Sequence, residues 1–182
     1  MATFTDVPAS GSLTPSINWV TKQGIMPGIT STQFRPGTTL TRVAAAETLY
    51  NLAGQPYHKP PATSRYPDVP ASHAFYTAIS WAVTKDLMRT WGDRTFRPTA
   101  ALTREKAAEY LYRTASANFV APSVSPFADV STGRNNYREI CWMYSLGLTA
   151  GSVRSGRRYF DPGASVPRDH WAAFLHRFDQ KV

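Results

Sequence analysis

This chain is short of most things that announce a chemistry. One cysteine, Cys141, stands in 182 residues, so no internal disulfide forms and no thiolate cluster holds a metal. Cys141 lies beside Trp142 on the apolar side of an expected helix and reads as a small buried hydrophobe. The four histidines, His58, His73, His170 and His176, share no spacing and have no cysteine partners. No apolar run approaches the roughly 20 residues that span a bilayer, which argues against membrane insertion. Gly-x-Ser-x-Gly, His-Glu-x-x-His and a phosphate-cradling glycine loop are absent. Acidic residues number 12 against 20 basic ones, leaving few candidates for the paired carboxylates of glycoside cleavage. The expectation is a non-enzyme without cofactor or metal. Met1-Ala2-Thr3-Phe4 lacks the basic and apolar regions of a signal peptide. A repeated motif begins almost at once, so an excised piece of a longer chain, joined to an upstream domain, is expected.

What the chain does have is one pattern written three times. Phe4-Thr5-Asp6-Val7 returns as Tyr66-Pro67-Asp68-Val69 and Phe127-Ala128-Asp129-Val130. Ile17-Asn18-Trp19 returns as Ile79-Ser80-Trp81 and Ile140-Cys141-Trp142. Phe34-Arg35-Pro36 returns as Phe96-Arg97-Pro98 and Phe160-Asp161-Pro162. Both the Asp and the Trp positions recur at intervals of 62 and 61. A fixed period means one supersecondary unit used repeatedly, and a site built from it should occur more than once. The copies span residues 1–54, 66–116 and 127–182. Proline-rich linkers at 55–65 and 117–126 are too stiff for floppy tethers. Each copy is about fifty residues and marginal alone, so three are expected to share one core.

Each copy reads loop, helix, loop, helix, giving an all-α fold. First helices are expected near 15–23, 75–85 and 137–145. Thr14 is the expected cap of the first, and Gly24 its left-handed stop. Second helices open at Thr41 and Thr103, both good N-caps, with Pro167 at the third such position. Apolar residues then follow at helical spacing, as in Ala45, Leu49 and Leu52. The Phe of Phe-x-Pro is expected to plug the core. Asp6, Asp68 and Asp129 are expected to organise their own turns by side-chain to backbone bonding. Trp19, Trp81 and Trp142 read as core aromatics, whereas Trp91, in a loop, is placed to stack on a sugar ring.

Arg42, Arg104 and Arg168 follow the caps in all three copies. A cation in a helix's first turn opposes the macrodipole. Two explanations stand side by side: each Arg and helix N-terminus face one anionic ligand group together, or each Arg pairs with a nearby carboxylate such as Asp6, Asp68 or Asp129. Net charge is +8, and 15 of the 20 basic residues are arginine. Arginine suits planar, bidentate recognition of carboxylate or phosphate. The arginines recur at equivalent positions rather than on a basic helix stripe, so an anionic glycan is preferred to nucleic acid as partner.

These ordered motifs resemble a triplet of S-layer homology domains. The family's Thr-Arg-Ala-Glu stretch stands here as Thr41-Arg42-Val43-Ala44, Thr103-Arg104-Glu105-Lys106 and Pro167-Arg168-Asp169-His170. The resemblance implies three helical repeats in a pseudo-threefold bundle with grooves between them. It implies a secreted protein held non-covalently on a Gram-positive cell wall by an anionic secondary polysaccharide, often pyruvylated. Carried over by position, Arg42, Arg104 and Arg168 would meet the anion, with Gly28, Gly151 and Trp91 beside the glycan. Departures from the pattern point to unequal grooves. The acidic fourth motif position is lost in every copy, and Asp86 and Thr90 replace the glycines found at Gly24, Gly28, Gly147 and Gly151. The third copy carries extra residues in a basic loop at 152–158 that would cover or extend one groove. The alternatives are a protein-assembly module of a surface layer, or the wall-targeting part of a wall hydrolase.

Overall fold

The computed structural model describes residues 4–182; Met1 to Thr3, part of the opening segment discussed above, lie outside the described residues. Six helices follow one another: α1 (Thr14–Lys22), α2 (Arg42–Leu52), α3 (Tyr76–Thr84), α4 (Arg104–Thr114), α5 (Tyr137–Ser145) and α6 (Arg168–Asp179). Between α5 and α6 lies a hairpin of β1 (Ser152–Arg154) and β2 (Arg157–Tyr159). The fold is otherwise helical, as the spacing predicts. The helix starts show what local chemistry decides. Thr41 caps α2, its hydroxyl accepting from the Ala44 amide at 3.4 Å. Thr103 occupies the same place before α4, yet its buried Oγ1 finds no partner. Thr14 is not the cap expected of it: it lies inside α1, and its hydroxyl donates to the Pro8 carbonyl at 2.6 Å. Gly24 does stop α1 in the left-handed region, at φ 70°.

The three copies meet on a closed ring of backbone hydrogen bonds. Leu40 N–H donates to the Val166 carbonyl, Val166 N–H to Leu102, and Leu102 N–H back to Leu40, all at 2.8 Å. Isolated bridges Thr39–Pro167, Thr41–Ala101 and Thr103–Ser165 flank this triangle. Leu40, Leu102 and Val166 are buried, so the amides at the axis have no water to turn to and pair with one another.

Helices pack across the copies. The helix pairs in close contact are α2 with α3, α4 with α5, and α6 with α1. The second helix of each copy thus carries the first helix of the next, and α6 closes the circle on α1. One aromatic pair marks each seam. Tyr50 meets Trp81 at 5.3 Å and Tyr112 meets Trp142 at 5.4 Å, both edge-on, while His176 stacks on Trp19 at 4.9 Å. Trp81 and Trp142 are buried, as core aromatics should be, whereas Trp19 is half-buried and packs against the edge of the core. The linkers are tacked down by equivalent tyrosines: Tyr76 donates to the Pro61 carbonyl at 3.1 Å and Tyr137 to Pro122 at 2.8 Å.

The repeated aspartates bond to backbone, but not in their own turns. Asp6 accepts from the amides of Phe34 and Arg35, Asp68 from Phe96 and Arg97, and Asp129 from Phe160 and Asp161, at 2.6–2.9 Å. Each carboxylate therefore holds the Phe-x-Pro loop of its own copy. The middle residue of that loop is left-handed every time, with φ 56° at Arg35, 56° at Arg97 and 57° at Asp161. Non-glycine residues in this region carry strain of order 1–3 kcal/mol, and two charge-assisted hydrogen bonds oppose it. The plug itself works as expected, since Phe34, Phe96 and Phe160 are fully buried.

Candidate binding clefts between the copies

The first turn of each second helix points its free amides at the neighbouring copy. Arg42 and Val43 N–H donate to Ala100 and Pro98 carbonyls, Arg104 and Glu105 to Ala164 and Pro162, and Arg168 and Asp169 to Thr38 and Pro36, at 2.9–3.0 Å. These N-terminal amides are satisfied by protein. They are not open to an anionic ligand, which corrects one of the two sequence-based explanations for the arginines.

The guanidinium groups follow the same cyclic rule. Arg42 Nε donates to the Phe96 carbonyl at 2.9 Å, Arg104 Nε to Phe160 at 2.6 Å, and Arg168 Nε to Phe34 at 2.9 Å. Each cation also lies over the ring of that phenylalanine, 4.7–4.8 Å from its centroid. The partner is a carbonyl and an aromatic face, not a carboxylate within ion-pair distance. A cation is tolerated at this helix end because it serves the next copy's acceptors.

The three arginines differ in what else they do. Arg42 is 3% exposed; its remaining nitrogens donate to the Arg89 carbonyl, at 2.9 Å, and to the Tyr110 hydroxyl. Burial pulls its guanidinium below the ordinary arginine value, and the same burial pushes the Tyr110 phenol up to about 12. Arg168 is 7% exposed and donates a second bond to the Pro27 carbonyl at 2.8 Å. Arg104 is only half-buried, and its Nη2 donates to the Thr149 hydroxyl at 3.2 Å.

Among the described residues, open clefts lie beside Arg104 and Arg42. The cleft at Arg104 has a volume of about 550 Å³, walled by Thr149, Gly151, Asp161, His170, Phe174 and Arg177. Its floor is apolar, from Ala173 and Phe174 of α6. The cleft at Arg42 is about 600 Å³ and far more charged, with Lys106, Glu109, Arg113, Arg138 and Glu139 in its wall. Much of that charge is already paired: Lys106 with Glu109 at 2.7 Å, Arg113 with Glu109 at 3.0 Å, and Arg138 with Glu139 at 3.1 Å. At the third seam, Glu47 of α2 lies close enough for its half-buried carboxylate and Arg168 to stabilise each other's charge, although burial still raises Glu47 above the usual carboxyl range.

The remaining expected site residues fall as follows. Trp91 lines the Arg42 cleft, with the Arg42 guanidinium 4.3 Å and that of Arg97 4.5 Å from its ring centroid. Its aromatic surface is already engaged by cations. Gly151 lines the Arg104 cleft at φ 68°, where a Cβ would come within 2.5 Å of the Tyr159 carbonyl. Gly28 packs so tightly on Phe4 that a Cβ would meet its ring at 2.5 Å. Asp86 takes the left-handed position held by Gly24 and Gly147, at φ 54°, and bonds to Arg89 and Arg113. Sequence reasoning did not single out Thr149, Arg113 or Arg177. The last two had a signal: both lie nine residues after the motif arginine of their copy. Their side chains donate to the Asp86 and Leu148 carbonyls, at 2.8 and 2.9 Å.

Comparison with known proteins follows the repeat. Over 176 residues, 95% of this chain, it is 26% identical to the Surface-layer 125 kDa protein of Lysinibacillus sphaericus. The matched region spans 14% of that protein's length. The S-layer homology domain matches residues 3–46 and 65–108, so the first two copies are similar to that domain in sequence, and the third repeats their arginine, aspartate and phenylalanine contacts in structure.

Proposed function

We propose that this chain anchors a larger protein at a bacterial cell wall, holding an anionic wall polysaccharide in the clefts between its copies without any chemical step. The observation that carries this reading is Arg104. Its guanidinium is fixed by a carbonyl and a hydroxyl, yet it borders an open cleft. Arginine has five N–H donors in a planar fork, and two bonds leave donors for a carboxylate or phosphate. The cleft volume falls within the 300–1,000 Å³ typical of small-ligand sites, roughly one or two sugar rings here. The apolar floor at Ala173 and Phe174 suits a ligand with a methyl group beside its anion, as a pyruvate ketal has. The similarity to a surface-layer protein of which this chain spans only a part supports an anchoring role and a secreted, cell-surface location. No helix among the described residues is long and apolar enough to cross a membrane.

Retention on purified sacculi tests the reading. Arg104→Gln keeps most of the side chain's bulk at a half-exposed site, so the fold survives and circular dichroism verifies it. Retention falls, and wild-type retention falls with rising salt, because exposed charges are screened beyond about 8 Å at physiological ionic strength. Undiminished retention of Arg104→Gln rejects the proposed contact. Sedimentation of the chain with and without released polymer separates anchoring from self-assembly.

A further inference from the structure

The hairpin β1–β2 belongs to the third copy alone. The Trp-to-Arg spacing is 23 in the first two copies (19 to 42, 81 to 104) and 26 in the third (142 to 168). The three additional residues are built as a tight turn. Ser155 and Gly156 are both left-handed, at φ 48° and 72°, which is the two-residue geometry that matches the twist of paired strands. Arg154 and Arg157 sit directly opposite each other across this turn, and Ser152 opposite Tyr159. Side chains alternate between faces along a strand, so Ser152, Arg154, Arg157 and Tyr159 share one face. Like charges placed opposite each other on a strand pair are destabilising, and nothing in the turn requires two arginines there.

That face adjoins the Arg104 cleft. Ser152 and Asp161 line the cleft. The Ser152 hydroxyl donates to Asp161 at 3.2 Å and Arg154 to the other oxygen of the same carboxylate at 2.5 Å. Arg154 also lies 4.1 Å above the Tyr159 ring. The hairpin is held in place: the Arg158 carbonyl accepts from Ala128 N–H at 2.8 Å, and the Arg158 side chain donates to the Ala150 carbonyl. Asp161 stands where the other copies have arginine. With Arg154 engaging it, that carboxylate is turned from a competitor for Arg104 into part of a neutral pair.

We propose that the hairpin is a second anion subsite, lengthening the Arg104 cleft so that an anionic polysaccharide is gripped at two points along its chain. Arg157 supplies the second cation, and Arg154, seated over the Tyr159 ring and bonded to Asp161, links it to the cleft. This extends the anchoring reading and rests on it. Short ligands fill the Arg104 cleft alone, whereas ligands long enough to pass the hairpin gain the second contact.

The test uses the whole chain and acid-released wall polymer from Lysinibacillus sphaericus, fractionated by length and titrated calorimetrically. Arg157→Gln weakens binding of the long fractions roughly two- to fivefold, the range for one exposed ion pair, and leaves the shortest binding fraction unchanged. Arg104→Gln weakens every fraction. A Ser155→Asn variant, which keeps the turn, binds like wild type. If Arg157→Gln matches wild type on long and short fractions alike, the second subsite is overturned while anchoring stands. If it weakens both equally, the hairpin acts only on the first cleft and the two-point grip is again overturned. If the wild-type chain binds no fraction, the anchoring reading falls, and this inference with it.

Discussion

Replacing Arg42 by alanine isolates the role of the arginine as a clamp between copies. The guanidinium is 3% exposed and donates to the Phe96 and Arg89 carbonyls and the Tyr110 hydroxyl. Hydrogen bonds to charged groups contribute about 1.5–3 kcal/mol each, and a buried acceptor left alone costs about 1–3 kcal/mol. Not all of this is lost together. The Arg89 carbonyl belongs to an exposed residue beside an open cleft and recovers a water, so two acceptors decide the balance. Removing the cation also takes its packing from Trp91 and Phe96. The expected destabilisation is about 3–5 kcal/mol, the range for breaking a buried charged contact. For a chain of this size that lowers Tm by roughly 10 °C or somewhat more. Urea unfolding followed by tryptophan fluorescence measures it. Arg104→Ala, at a half-buried site with one carbonyl and one hydroxyl partner, loses about 1–2 kcal/mol. If Arg42→Ala unfolds within about 1 kcal/mol of wild type, or less readily than Arg104→Ala loses stability, the clamp argument is refuted. The same ranking warns that lost wall binding in an Arg42 variant reports a damaged seam before it reports a missing ligand contact.

Three further outcomes follow from the frame. Asp68→Ala strands the amides of Phe96 and Arg97 and removes the restraint on a left-handed arginine; a loss of about 2–4 kcal/mol is expected in chemical denaturation. Gly151→Ala collides with the Tyr159 carbonyl at 2.5 Å, whereas Gly24→Ala meets nothing within 4 Å. Both lose the about 1–2 kcal/mol of a left-handed alanine, and the first loses the cost of the collision as well, so its Tm falls clearly further. Stability also falls in acid. Although desolvation acts against it, Asp6 is held below the usual carboxyl range by the Phe34 and Arg35 amides; Asp86 is held there by Arg89, Asp93 by the Thr95 hydroxyl and Asp161 by Arg154. Folded values below the unfolded ones mean the unfolded chain takes up protons first, so this stability is complete above about pH 4 and is lost as pH falls through and below it. Glu47, raised by burial, has the opposite sign at slightly higher pH, one group against four. A Tm–pH profile that stays flat from pH 5 down to pH 2.5 contradicts this.

The frame was legible in the sequence because it is local and periodic. The repeat period located α3 and α5 as matches of the first helix, and Thr41 capped α2. What escaped notice depends on neighbours distant in sequence. Asp6 bonds to amides 28 and 29 residues on, and no turn rule reaches that far. The carbonyl partners of the motif arginines lie on the following copy, 54 and 56 residues ahead for Arg42 and Arg104 and 134 behind for Arg168. Side-chain identity cannot signal such a contact, since every residue has a carbonyl. Thr14 had the right chemistry for a cap, but it is the first residue of the helix itself and Leu13 holds the cap position. The insertion of basic residues was visible; Ser155-Gly156 marks a turn without specifying a hairpin, and the strands around it are only three residues each.

The distribution of sameness and difference bears on function. Contacts that close the ring are made by backbone and by the arginine Nε, and the aspartate carboxylates hold each copy's own loop; all three copies keep both despite Pro167 in place of threonine and Asp161 in place of arginine. The cleft walls follow no such rule. The positions Glu47–Thr48, Glu109–Tyr110 and Ala173–Phe174 are equivalent on α2, α4 and α6, yet they present a carboxylate beside Arg168, a paired carboxylate beside Arg42, and an apolar floor beside Arg104. An anionic ligand meets repulsion at the first, competition at the second and neither at the third. The frame thus needs three copies to close, whereas among the described residues the Arg104 cleft combines a half-buried guanidinium, a neutral floor and the added cations of the hairpin. On the proposed anchoring function, calorimetry is therefore expected to give a stoichiometry near one glycan segment per chain, not three.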